Sequence, residues 1–146
     1  MSDRTGVKGL LAKMRKISNP EKALKQIGIS LVSSTKNRFN QGVDPQGNTW
    51  EPRSEATISI LESKNRLTNK TLVVTSELQR SIGFIATKNS VKVGSNKEYA
   101  KINNQGGTST FNGRQVEIPQ RQFLGISKND ERQIKMILDQ HMRGNL

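Results

Sequence analysis

The chain holds a single histidine, His141, and no cysteine. A two-histidine metal site cannot form, and thiolate ligands, cysteine nucleophiles and disulfides are excluded. His141 falls in the last turn of a C-terminal helical pattern, where its charge suits the negative end of the helix dipole. No pair of carboxylates lies near it in sequence. A Ser-His-acid triad on a nucleophile elbow needs a Gly-x-Ser-x-Gly turn, which does not occur. Gly106-Gly107 lacks the Lys-Ser/Thr that completes a phosphate loop and the strand–turn–helix setting of a dinucleotide site. Asp44, Glu51 and Glu55 lie close together but without EF-hand spacing, and read best as solvated turn residues. The expectation is therefore no catalytic residue, no cofactor, no metal site and no enzymatic activity.

The aromatic residues Phe39, Trp50, Phe84, Tyr99, Phe111 and Phe123 are scattered. Base-stacking platforms need aromatics grouped on one exposed sheet. Any contact with nucleic acid would be to the phosphate backbone and independent of sequence. Charge does favour such a partner. The 146 residues carry a net charge of +12, and residues 1–40 alone hold nine basic against two acidic residues. Such a surface attracts polyanions by counterion release and long-range steering; the alternative is a solvated helix face. Lys8, Lys13, Arg15, Lys16, Lys22 and Lys25 are the candidate contacts to DNA or an acidic partner.

The elements that must position these residues fit one domain over residues 1–146. Leu, Ile, Val and Phe make up about a quarter of the chain, enough for a lean core. No apolar run approaches the roughly 20 residues that span a bilayer. Gly9-Leu10-Leu11-Ala12 is cut off by Lys13 too soon to form a signal-peptide core. A cytoplasmic site of synthesis and use is expected. Val7, Leu10, Leu11, Met14 and Ile17 predict a basic amphipathic helix. Asn19-Pro20-Glu21 opens a second, with Asn as cap and Pro in the first turn; Leu24, Ile27, Leu31, Thr35 and Phe39 form its stripe. This helix should stop before Gly42.

Asp44-Pro45-Gln46-Gly47 has the residues of a type I turn. A short helix over residues 54–62, a loop over 65–70 and a brief strand over 72–74 follow. Thr75 could cap a single helical turn that reaches Ser81. Residues 82–87 and 91–94 read as a β-hairpin. A short helix over residues 99–105 is closed by Gly106-Gly107. Residues 107–115, rich in Gly, Thr, Ser and Asn, read as a mobile loop, and 116–119 as an extended run. Ser127-Lys128-Asn129-Asp130 resembles a capping box, and Ile134, Ile137, Leu138 and His141 share one side of the last helix. The expected fold is α+β: a small antiparallel sheet with an N-terminal helical pair and a C-terminal helix packed on it.

An ordered series of short motifs then stands out. Arg38-Phe39 precedes Gly42-Val43-Asp44-Pro45-Gln46-Gly47-Asn48-Thr49-Trp50-Glu51-Pro52. Leu72, Leu78 and Ser81-Ile82 follow, then Val91-Lys92-Val93-Gly94-Ser95, Tyr99-Ala100-Lys101-Ile102 and Gln105-Gly106. Ile118-Pro119-Gln120-Arg121-Gln122-Phe123-Leu124-Gly125 leads into the final helix. In order and spacing over residues 38–142 the chain resembles the phage virion-morphogenesis family of Mu-like tailed phages, which includes tail-completion proteins. It departs from the family at Asn103, where His is frequent, and carries Pro119-Gln120-Arg121 where the family has Pro-Ala-Arg.

The resemblance implies a structural subunit that completes or terminates the tail and supports head–tail joining. It implies a ring, often of six copies, around the DNA channel. Its partners would be other copies, the tail tube, neck or connector proteins and, non-specifically, DNA; no membrane and no small-molecule substrate are implied. Its place would be the virion, after assembly in the host cytoplasm. Trp50, Pro52, Phe111, Arg114, Arg121 and Phe123 are the candidate subunit or partner contacts. For Trp50 the competing reading is core packing, and Arg121 could pair within its own chain or with a neighbour. A sequence-independent basic nucleic-acid-binding module is the alternative, and a small basic nuclease the third reading.

Overall fold

Asn19 and Pro20 open the longest helix, as their types require. In the computed structural model, which describes residues 13–54, 59, 62–63, 76–111 and 113–143, helix α1 spans Pro20–Gln41. The Asn19 side-chain oxygen accepts from the Lys22 N–H at 3.4 Å, and Glu21 lies at the positive end of the dipole. The helix ends where Gly42 turns left-handed at φ 67°, donating its N–H to the Arg38 carbonyl at 2.7 Å. The expected stripe is buried along its length: Leu24, Ile27, Leu31, Thr35 and Phe39 are each at most 9% exposed.

The chain packs as two compact units, with the division falling inside α1. The first comprises residues 1–33, 83–93 and 126–146. Its core joins Ile17, Ala23, Leu24, Ile27 and Leu31 to Ile134 and Leu138. The last two come from α4, Lys128–Met142, which begins with the expected capping box. Ser127 N–H donates to the Asp130 carboxylate at 2.9 Å, and Asp130 N–H donates to the Ser127 hydroxyl at 3.0 Å. Strands β1, Gly83–Ala86, and β2, Val91–Gly94, form a hairpin. A four-residue connection leaves antiparallel pairing as the only option. The Thr87 hydroxyl tightens this turn by accepting from the Asn89 and Ser90 N–H groups at 3.2 and 3.1 Å. Ala86, Val91 and Val93 pack against the core, while Ile85 points outward. Gly28 of α1 lies under the Phe84 ring so closely that a Cβ there would sit 2.3 Å from it.

The second unit comprises residues 34–82 and 94–125. It holds the last turns of α1, α2 at Glu77–Ser81 and α3 at Ala100–Gln105. Its sheet pairs β3, Gly107–Phe111, with β4, Arg114–Ile118, in antiparallel register with Gly107 opposite Ile118. The expected mobile loop at 107–115 is therefore corrected to a hairpin. Threonines and Val116 supply extended preference, and Gly113 takes the left-handed turn at φ 76°. The fold is α+β as expected, and among the described residues the strands form two separate two-stranded sheets.

Helix α2 reaches Ser81 as expected, but the residue at its N-cap position is Ser76, left-handed at φ 62° and making no side-chain cap bond. Residues 13–15 and 62–63 are helical. The first expected helix is over by Lys16, a turn residue, so Ile17 is buried from outside it; its part before residue 13, most of the helix over 54–62, the loop at 65–70 and the strand at 72–74 lie outside the described residues.

Candidate functional site

Of the sequence blocks singled out above, Arg38-Phe39, residues 42–52, 99–106 and 118–125 lie in the second unit. The turn comes first. Gly47 N–H donates to the Asp44 carbonyl at 3.0 Å, closing a β-turn over the expected four residues. The Asp44 carboxylate accepts from the N–H groups of Gln46 and Asn48 at 2.9 and 2.8 Å. The Asp44–Asn48 and Trp50–Gly42 backbone bonds then zip the loop shut. This loop delivers Trp50 to the interior, 5% exposed. Its ring meets Phe39 edge-on at 5.6 Å, and Phe39 meets Phe123 at 5.0 Å.

Segment 119–125 is held by donors aimed at or from its main chain. Arg38 donates to the Phe123 carbonyl at 2.8 Å, and the Trp50 indole N–H donates to the Gln122 carbonyl at 2.8 Å. The Asn104 side-chain oxygen, near the end of α3, accepts from the Phe123 and Leu124 N–H groups, both at 3.0 Å. Arg121 N–H donates to the Asn103 carbonyl at 2.8 Å. The Arg121 guanidinium reaches the other way, to the carbonyls of Glu51 and Pro52 at 2.8 and 3.0 Å. Burial lowers the Arg121 pKa, Glu51 opposes that and Arg53 adds to it; burial likewise lowers Arg53. Guanidinium groups stay charged regardless. Among the described residues no buried side-chain polar atom lacks a partner.

Three candidate contact residues are thereby corrected to internal ones. Trp50 and Phe123 fill the aromatic cluster, and Arg121 is 9% exposed and bonded within its own chain. A side chain already enclosed by its own fold has no surface to offer a neighbour. Pro52 and Arg114 are exposed, and the Phe111 side chain lies outside the described ones. The roles of Arg38 and Asn104 were missed. Arg38 sits beside Thr35 and Phe39 on the buried stripe, and a charge there must find carbonyl acceptors; that was the available signal. Asn104 left none.

The cationic candidates lie in the first unit. Lys13 is ion-paired with Asp139, whose carboxyl that hydrogen bond holds below the usual carboxylate range. Lys25 stands 3.7 Å from Glu21. Arg15, Lys16 and Lys22 are exposed with no acidic partner among the described residues, and Lys8 lies outside them. Among the described residues no group of three His, Cys, Asp or Glu could hold a metal, and no helix is long and apolar enough to cross a membrane.

His141 is 8% exposed, with Nε2 2.9 Å from the Gln26 side-chain oxygen. Burial, then Lys22, lowers its pKa from the ordinary 6.5. The unfolded chain therefore takes up a proton first as pH falls, and stability must fall with it from about pH 6.5 downward. In His141→Gln this drift should flatten. Urea midpoints of both chains between pH 5 and 8 check it; equal slopes would show that His141 does not titrate on unfolding.

The sequence profile of the phage virion morphogenesis family matches residues 3–143. The chain belongs to that family. A protein of Escherichia phage Mu named "Putative capsid assembly protein G" is 30% identical over 106 residues, 72% of this chain and 68% of the Mu protein. No solved structure matches. As a virion-morphogenesis protein the chain has a structural or assembly role in the phage particle. In this member the converging blocks serve to fix one extended segment beside an aromatic core.

Proposed function

We propose that this chain completes or terminates the phage tail and supports head–tail joining as one subunit of a ring, of six copies, around the channel that DNA passes. The match to the virion morphogenesis family over residues 3–143 carries this reading. The exposed Arg15, Lys16 and Lys22 support it, because a channel wall needs positive charge and no base readout. Residues 1–146 act together as one assembly domain, without catalysis, cofactor, membrane or small-molecule substrate. The partners are other copies, the tail tube, neck or connector proteins and, non-specifically, DNA. Assembly takes place in the host cytoplasm and the product is part of the virion.

Phage lacking this chain should accumulate full heads and unfinished tails as separate particles in electron micrographs, and adding the purified protein should restore joining. Normal particles in its absence would defeat the assignment. The same cations favour a second reading, a sequence-independent nucleic-acid-binding module. That reading expects a monomer or dimer whose DNA affinity falls steeply with salt, whereas a ring subunit forms oligomers that persist at high salt.

A further inference from the structure

One side of α4 carries a row of charge along its whole length. Lys128, Arg132, Lys135, Asp139 and Arg143 recur at steps of four, three, four and four residues, which sets them on one face of the helix. The buried Ile134, Leu138 and His141 take the other side. The four basic residues of the row are exposed. Lys13 joins them through its ion pair with Asp139, and Lys135 and Arg143 also lower the pKa of that carboxyl. The row thus sets five cations against one acid. Glu131 lies on its flank, four residues before Lys135, with no ion pair among the described residues. Beyond the described residues, this unit adds one acid, Asp3, to Arg4 and Lys8.

The row does not serve the helix itself. Lys128 is its first residue, at the positive end of the dipole, where a cation is unfavourable. Lys128 and Arg132, four residues apart, and Arg132 and Lys135, three apart, are like-charge neighbours, which weaken a helix. A polyanion laid along the row relieves both. At 1.5 Å per residue the row runs about 22 Å, the axial length of about six phosphates on one strand of duplex DNA. A protein neighbour fits less well, because the centre of a protein interface is depleted of charge.

We propose that the Lys128–Arg143 face of α4, together with Lys13, is the surface that meets the phosphate backbone of duplex DNA. This rests on the DNA contact in the reading above and names the residues that make it.

Fluorescence anisotropy of the full chain with a labelled duplex, taken across a salt series, tests it. Lys128→Ala/Arg132→Ala/Lys135→Ala should bind about tenfold or more weakly at low salt, and the slope of log affinity against log salt should shrink by about 3, alike for unrelated sequences. All three positions are exposed, so circular dichroism should report unchanged folding. Lys97→Ala/Lys101→Ala/Arg114→Ala removes the same charge from the second unit and should change the slope by less than about 1. Equal losses in the two triples would mean that DNA senses net charge alone, and would overturn the proposal, as would an unchanged slope in the α4 triple. An α4 triple that binds DNA normally yet fails to restore head–tail joining would give the face to an acidic protein, and would overturn it too. Unchanged DNA binding with joining restored rejects this surface and leaves the tail-completion reading intact. Lost DNA affinity in the α4 triple, with normal joining in phage that lack the chain, rejects that reading alone.

Discussion

Trp50→Ala should unfold at a markedly lower denaturant midpoint, with a loss of about 3–5 kcal/mol. Truncation removes a ring 5% exposed and leaves a cavity beside Phe39, which is fully buried. It also removes the indole donor to the Gln122 carbonyl, a bond of 2.8 Å in a part-buried setting. A net hydrogen bond of that kind contributes on the order of 1 kcal/mol, so the cavity dominates. Trp50→Phe separates the two effects, because it keeps most of the ring volume and loses only the donor; it should cost about 1–2 kcal/mol. Urea denaturation with both variants measures the difference. Unchanged stability in Trp50→Ala would place the indole at the surface and dissolve the aromatic cluster as described.

Gly28→Ala sets two effects against each other. Ala in a helix interior is favoured over Gly by about 1 kcal/mol. The new Cβ, however, would lie 2.3–2.8 Å from three atoms of the Phe84 ring, inside any allowed contact. Overpacking of this kind costs about 1–3 kcal/mol. The expected outcome is net destabilisation, growing in Gly28→Val as bulk is added. Phe84→Ala in the same chain should erase most of the penalty, since the atoms that clash are gone. A stabilised Gly28→Ala would mean that the Phe84 ring swings out at little cost, and the helix–hairpin packing would not depend on this contact.

Much of this was legible in the sequence where local chemistry and burial agree. Asn19-Pro20 starts a helix, Gly42 ends it, Ser127 and Asp130 cap another, and a stripe at helical spacing is buried. Asp44 to Gly47 folds as its residue types dictate. At 107–115 composition and pattern point in different directions. Asn112-Gly113 is a two-residue hairpin signature, and the flanking threonines and Val116 suit strands; polarity suggested loop because the ribbon is exposed on both sides and lacks the usual alternation. The site was legible as a set of motifs but not as a set of contacts. Trp50, Arg121 and Phe123 attract attention as large or charged residues, and sequence alone does not say that Arg121 spends its donors on Glu51 and Pro52. Asn104 escaped notice because a single amide oxygen that accepts two N–H groups has no periodicity to betray it.

Segment 119–125 is gripped chiefly through peptide oxygens and nitrogens, by Arg38, Trp50 and Asn104. A grip of that kind is blind to the side chains its captive carries outward. Gln120 is exposed, so an exchange there leaves every one of these bonds in place. Descendant phages could therefore reshape what this stretch presents while inheriting the same scaffold, and divergence at its outward positions need not register as loss of folding.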